Sequence, residues 1–277
     1  MSDVLSGMAL ALASGAVRVV DLTHTLDPDF PVIVLPPEFG QCARFRMEEV
    51  SAYDHRGPAW KWHNLTLNEH TGTHFDAPVH WVTGRDLPRN SVDTMPLEPM
   101  LAPACVIDCT EACARDADHL LTRDAILNWE AENGRIEPGC WVIMRSGWGD
   151  KTGAEYANLQ ADGAHTPGPD AEAIRFLIDE RNILGFGTET IGTDWGQAGH
   201  LSPPYPAHHY LHGAGKYGLQ CLTGLEALPP RGAMIFAAPV ISSTVGPFAL
   251  KPSRKSVISC SDASPDMISC ITSSISS

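Results

Sequence analysis

The sequence predicts an α/β fold with a mixed sheet and flanking helices, and three observations predict it. Short apolar runs recur along the chain, segments of helical period separate several of them, and Gly- and Pro-containing dipeptides punctuate the joins. Val17–Leu22, Ala104–Asp108, Trp141–Arg145, Gly185–Thr188 and Ala233–Ala237 read as buried strands, each bounded and about as long as a strand covered on both faces. Met8–Ala16, a short apolar stretch, reads as an N-terminal helix. Thr122 opens a helix through Trp129 with a capping hydroxyl, and Asp170–Arg181 carries Ile174, Leu177 and Ile178 on one helical face. Asn133-Gly134 and Pro138-Gly139 turn the chain between helix and strand. With 277 residues and 43 % hydrophobic content, residues 1–250 are expected to form one domain around one sizeable core. From Lys251 onward serine dominates, so 251–277 has the composition of a disordered tail.

Charge narrows the function classes. A formal net charge of −14 argues against nucleic acid or anionic membrane as a partner, since both need a basic face. Met8–Ala16 is shorter than the roughly 18–20 apolar residues a membrane span needs and has no Lys or Arg before it, so a cytoplasmic protein is expected. Eight cysteines in a chain of this length do not make a disulfide scaffold. Cys105, Cys109 and Cys113 recur every four residues, but Cys105-Val106-Ile107-Asp108 reads as a buried strand. Two small core residues and, at Cys113, an incidental thiol are therefore expected rather than a soft metal site.

The chemistry concentrates in the eleven residues His70-Thr71-Gly72-Thr73-His74-Phe75-Asp76-Ala77-Pro78-Val79-His80. On an extended chain His70, His74, Asp76 and His80 share one face, because side chains alternate with period two. Gly72, two threonines and Pro78 disfavour the helical alternative, so a strand running into a loop is expected. Four polar groups packed together without a cation would leave unpaired donors and acceptors, each costing about 1–3 kcal/mol when buried. His70, His74 and Asp76 form an N2O set suited to Mn2+, Zn2+ or Fe2+, with positions left for water and substrate.

The run HTGTHFDAPVH resembles the H-x-G-T-H-x-D-x-P-x-H motif of the cyclase family, which includes bacterial kynurenine formamidases and isatin hydrolases. Val20-Asp21-Leu22-Thr23-His24-Thr25-Leu26 is similar to that family's opening strand, and Gly192-Thr193-Asp194 to its later turn. The resemblance implies the swivelling β/β/α fold, at least a dimer, and hydrolysis at a carbon–nitrogen bond. It also places His208 where members with two zinc ions have a histidine, and Gln220 where they have a glutamate twelve residues later. A neutral amide there removes an anionic ligand that two cations about 3.5–4 Å apart would need to offset their repulsion. One divalent ion is therefore expected, Mn2+ first and Zn2+ as the alternative, as in the isatin-hydrolase branch.

His80 is the candidate general acid/base for the leaving nitrogen, with a fourth-ligand role as the alternative. His208 and Gln220 are candidates for holding a substrate carbonyl and the attacking water, or for hydrogen bonding to the metal ligands. Cys221 is the one thiol near this set. Phe30–Phe39 and Pro58–His63, rich in proline and aromatics, are expected as loops that wall a pocket for a flat aromatic substrate or form a subunit interface. Trp81 is expected in the core, and Trp195 and His200 remain candidate pocket residues. The expected substrate is a small aromatic cyclic amide, isatin first. The alternatives are an aryl formamidase, a lactone hydrolase or polyketide cyclase, and a metal-binding protein without catalysis.

Overall fold

The computed structural model describes residues 2–82 and 86–239. The serine-rich segment 251–277 lies outside the described residues. The described chain begins with α1 (Ser2–Ser14), followed by β1 (Arg46–Asp54), β2 (Gly57–Thr66), β3 (His74–Asp76), β4 (Leu101–Asp108), α2 (Thr110–Arg115) and β5 (Leu120–Leu121). Next come α3 (Arg123–Asn133), β6 (Trp141–Arg145), α4 (Gly153–Ala157), β7 (Leu159–Gln160), β8 (Gly163–Ala164) and β9 (Gly168–Pro169). The remainder is α5 (Ala171–Asp179), β10 (Gly185–Thr188), α6 (Pro206–Gly213), β11 (Tyr217–Gln220) and β12 (Ala233–Phe236).

A six-stranded sheet in the order β12-β4-β6-β10-β11-β3 organises the chain. Its four inner strands are mutually parallel, whereas β12 and β3 close the two edges antiparallel. Both faces of the inner strands are covered, which is why they read as unbroken apolar runs. Ala104, Val106, Trp141, Ile143 and Leu219 point into one cluster, with Phe75, Val20 and Leu22. The alternate residues Cys105, Ile107, Val142, Met144 and Phe186 point into the other, against Ile126 and Trp129 of α3, Ile174 and Leu177 of α5 and Leu211 of α6.

The helix signals act through specific atoms. Thr122 accepts a hydrogen bond from the Ala125 amide at 3.2 Å, and Asp170 accepts one from Ala173 at 2.6 Å, each filling an otherwise orphaned donor at a helix start. Ile174 and Leu177 are buried on α5, and Ile178 packs partly against the same cluster.

Three expectations need correction here. Val17–Leu22 is not a strand; Val17, Val20 and Leu22 are buried but the segment is irregular, with an isolated bridge from Thr23 to Leu222 just after it. Pro58–His63 is not a loop but lies in β2, which pairs with β1 as a two-stranded ribbon that leaves Met47, Tyr53, Trp60, Trp62 and Leu65 exposed. Prolines and tryptophans fit such a ribbon because it has no further neighbour demanding backbone donors. Cys113 is not incidental: it sits in α2 and is buried with Cys105 and Cys109.

A bidentate ion pair ties α3 to the end of α5. Arg181 donates from Nε and Nη2 to the two Glu130 oxygens at 2.7 and 2.8 Å, and Glu130 also accepts from the Ile136 amide at 2.8 Å. Both side chains are at most 9 % exposed, so removing one partner strands a buried charge. Glu130→Ala is expected to destabilise the fold by about 3 kcal/mol, read as a lower urea midpoint with an unchanged slope.

Candidate metal and active site

The site lies where the sheet edge meets α6. Pairing of β3 with β11 sets Gln220 opposite His74 and Gly218 opposite Asp76. Since Phe75 and Leu219 turn into one core cluster, His74, Asp76 and Gln220 share the opposite face. Gly218 has a local reason: a Cβ there would come within 3.1 Å of the Asp76 Cβ and 3.3 Å of its Oδ2. The four residues of the motif do converge, but not along one extended chain. Only His74–Asp76 is strand; His70 lies in a preceding turn that Gly72 makes possible at φ +69°, and His80 ends a 3-10 turn, Pro78–His80.

Three donor atoms converge on one point. His70 Nδ1 is 3.2 Å from His74 Nε2, and Asp76 Oδ1 is 3.4 Å from the first and 3.5 Å from the second. A tetrahedral ion with bonds of about 2.1 Å spaces its ligand atoms about 3.4 Å apart, so the spacing fits a divalent cation. The buried Asp76 Oδ1 has no hydrogen-bond donor among the described residues, as expected of a ligand atom. His74 donates from Nδ1 to the Gly72 carbonyl at 2.7 Å, which turns its Nε2 lone pair inward.

The other carboxylate oxygen faces a second group. The Gln220 amide nitrogen donates to Asp76 Oδ2, and His208 Nε2 lies 3.7 Å from that oxygen. Asp76, His80 and His208 present ligand atoms within 4.8 Å of one another. Burial is the main force lowering His74 to about 4 and His80 to about 3, leaving neutral imidazoles. His208 goes the other way: burial disfavours its cation, but the Asp194 hydrogen bond and the charges of Asp194 and Asp76 outweigh it. Asp76 is itself held well below the carboxylate range, because contacts with His74, His70 and His80 outweigh burial.

Sequence reasoning missed Asp194 as a working side chain. It accepts from the Ala207 and His208 amides at 2.7 and 3.0 Å, capping α6, and contacts His208 Nδ1 at 2.5 Å. The signal available was an aspartate followed by a Pro-initiated helix. His212, one helical turn beyond His208, was also missed and is completely buried. Trp81 corrects another expectation: it is 40 % exposed, its ring 5.2 Å from that of His208 and 6.0 Å from that of His80, so it borders the site instead of filling the core.

Trp195 ties a loop by donating to Asp118 at 3.1 Å, and His200 is exposed. Of the Phe30–Phe39 segment, Phe30 is buried against His24 and Tyr156, whereas Phe39 is exposed. Burial pushes the Cys221 thiol up to about 12, and its carbonyl accepts from Thr73.

The Cyclase family model matches residues 20–195. The chain belongs to the cyclase family. Within it, the chain is 46 % identical to isatin hydrolase of Roseibium aggregatum over 86 % of its own length and 91 % of that protein. Among solved cyclase-family structures, isatin hydrolase A from Labrenzia aggregata, bound to benzyl benzoate, superposes with a TM-score of 0.87 at 63 % identity, covering 89 % of this chain and 96 % of that one. An isatin hydrolase bound to the product analogue thioisatinate gives a TM-score of 0.87 at 42 % identity, covering 89 % and 95 %. The mixed sheet with flanking helices is thus the cyclase-family fold.

The close approach at Gly218 makes a prediction. Gly218→Ala is expected to push the Asp76 carboxylate out of line and weaken divalent-ion binding by roughly 10–100-fold, measured by calorimetric titration, while the circular dichroism spectrum stays native.

Proposed function

We propose that this protein is a metal-dependent hydrolase that opens the lactam ring of isatin. Water adds to the amide carbonyl, the carbon–nitrogen bond breaks, and the ring nitrogen takes up a proton to leave as an arylamine beside a new carboxylate. The observation that carries this reading is Gln220 on Asp76 Oδ2 in a chain 46 % identical to an isatin hydrolase. A neutral N–H donor satisfies the oxygen that a second cation would have to share, which supports one ion per chain over two. His70, His74 and Asp76 would hold that ion, with Mn2+ favoured and Zn2+ the alternative. When bound, it supplies a water of near-neutral pKa and polarises the substrate carbonyl.

The remaining steps belong to side chains. His80, neutral and beside Asp76, carries the proton to the departing nitrogen. His208 and Gln220 hold the attacking water and the second carbonyl of the substrate, and Asp194 keeps the His208 ring in place. We further read residues 1–250 as one hydrolase domain. Two more observations support its setting. The described cysteines are free thiols, in keeping with the cytoplasm, and no described helix is long and apolar enough to cross a membrane. The exposed tryptophans of the β1–β2 ribbon support a homodimer or higher homo-oligomer.

Assay of the metal-reconstituted protein against isatin, N-formylkynurenine and a simple aryl lactone, alongside metal analysis, tests the reading. Preference for isatin with close to one ion per chain is expected. Faster turnover of N-formylkynurenine, or two tightly bound ions, would overturn it. His80→Ala is expected to keep its metal and lose roughly 10²–10⁴ in turnover. Loss of metal in step with activity would make His80 a ligand instead.

A further inference from the structure

His208 and His212 stand one turn apart on α6 and both face the 3-10 turn that carries His80. The His80 ring centroid is 5.5 Å from that of His208 and 6.1 Å from that of His212, the latter edge-on at 84°. The nitrogens of His208 are engaged. Nδ1 meets Asp194 at 2.5 Å, and Nε2 lies 3.4 Å from the Gln220 amide nitrogen and 3.7 Å from Asp76 Oδ2. His212 differs. Its Nδ1 donates to the Lys216 carbonyl at 3.1 Å, so the proton sits there and Nε2 carries a lone pair. That Nε2 is buried and has no hydrogen-bond partner among the described residues.

An unfilled acceptor inside a protein needs an account, because buried polar atoms are almost always paired. His80 supplies one. A histidine that moves a proton must present one nitrogen to the reaction and have the other fixed by a neighbour, which sets the tautomer and ring angle. At a centroid separation of 6.1 Å, imidazole nitrogens turned toward each other stand roughly 4 Å apart, a gap that one bridging water or a small closure fills.

We propose that His212 is a positioning residue for His80: its Nε2 accepts a hydrogen bond from His80, directly or through one water, and so fixes which His80 nitrogen faces the substrate. The proposal rests on the proton-transfer role assigned to His80 above. A neutral imidazole suits the task. It orients its partner, and it stabilises the transient imidazolium, without adding a second carboxylate that would compete for the cation.

Two substitutions separate this from a purely structural role. His212→Asn keeps a donor for the Lys216 carbonyl and removes the acceptor at Nε2; His212→Gln extends an amide oxygen to the Nε2 position and gives up the Lys216 bond. With isatin as substrate, His212→Asn is expected to lower kcat roughly 10–100-fold with KM within about twofold, full metal content and an unchanged melting temperature. His212→Gln is expected to recover most of kcat. In the His80→Ala background, His212→Asn is expected to have no further effect. Equal activity of His212→Asn and wild type, or an additive loss on top of His80→Ala, would overturn the proposal.

A readout independent of turnover is the 15N shift of the His80 ring in the Zn2+-loaded protein. A single tautomer in wild type that becomes mixed in His212→Asn supports the proposal even if isatin proves the wrong substrate. An unchanged His80 tautomer in His212→Asn would overturn it whatever the substrate.

Discussion

A carboxylate with no exposure to water is costly unless its surroundings replace the lost solvent, and Asp76 is in that position at 0 % exposure. Its two oxygens are treated differently. Oδ2 receives the Gln220 amide, while Oδ1 faces two imidazole nitrogens with no donor of its own. The surrounding architecture follows from this asymmetry. Edge strand β3 brings the carboxylate in, β11 supplies the amide across the ladder, and α6 supplies His208 on the far side.

Support for these groups extends outward through backbone-directed bonds. Thr73 donates to the Cys221 carbonyl and accepts from the His24 amide, pinning the chain immediately before His74 to the strand that carries Gln220. Asp194 performs a double task, ending the helix dipole of α6 with a charge and holding a ring nitrogen of its third residue, His208. One side chain thereby contributes to both the helix start and the imidazole angle. Glu189 anchors the neighbouring turn in a similar manner, accepting from the Ser146, Gly147 and Trp148 amides. The loops around the site are thus held by carboxylates that meet backbone donors.

Much of this was legible in the sequence. The inner strands β4, β6 and β10 announced themselves because burial on both faces forces continuous apolar runs, and Thr122 and Asp170 marked helix starts because capping needs those side chains. The cluster of His70, His74 and Asp76 was legible because its members lie close in sequence. His212 and Asp194 were not, since their roles arise only when α6 is laid against the 3-10 turn and the sheet edge. Trp81 was misplaced for a related reason: period-two reasoning assumed a strand through His80, whereas the chain coils at Pro78 and turns the indole toward His208. Val17–Leu22 misled because an irregular segment crossing a core needs the same apolar residues as a strand.

Placing the motif on an edge strand has a further consequence for solubility. An open sheet edge is a template on which another chain can pair, and proteins blunt such edges with short strands, charge and proline. Here β3 is only three residues long, carries a histidine and an aspartate among them, and is followed at once by a proline-initiated turn. The residues that equip this protein for chemistry therefore also keep this sheet edge short and buried, a poor partner for self-association. A version stripped of the motif in favour of apolar, strand-forming residues would lose its reactivity and acquire a sticky border in the same step.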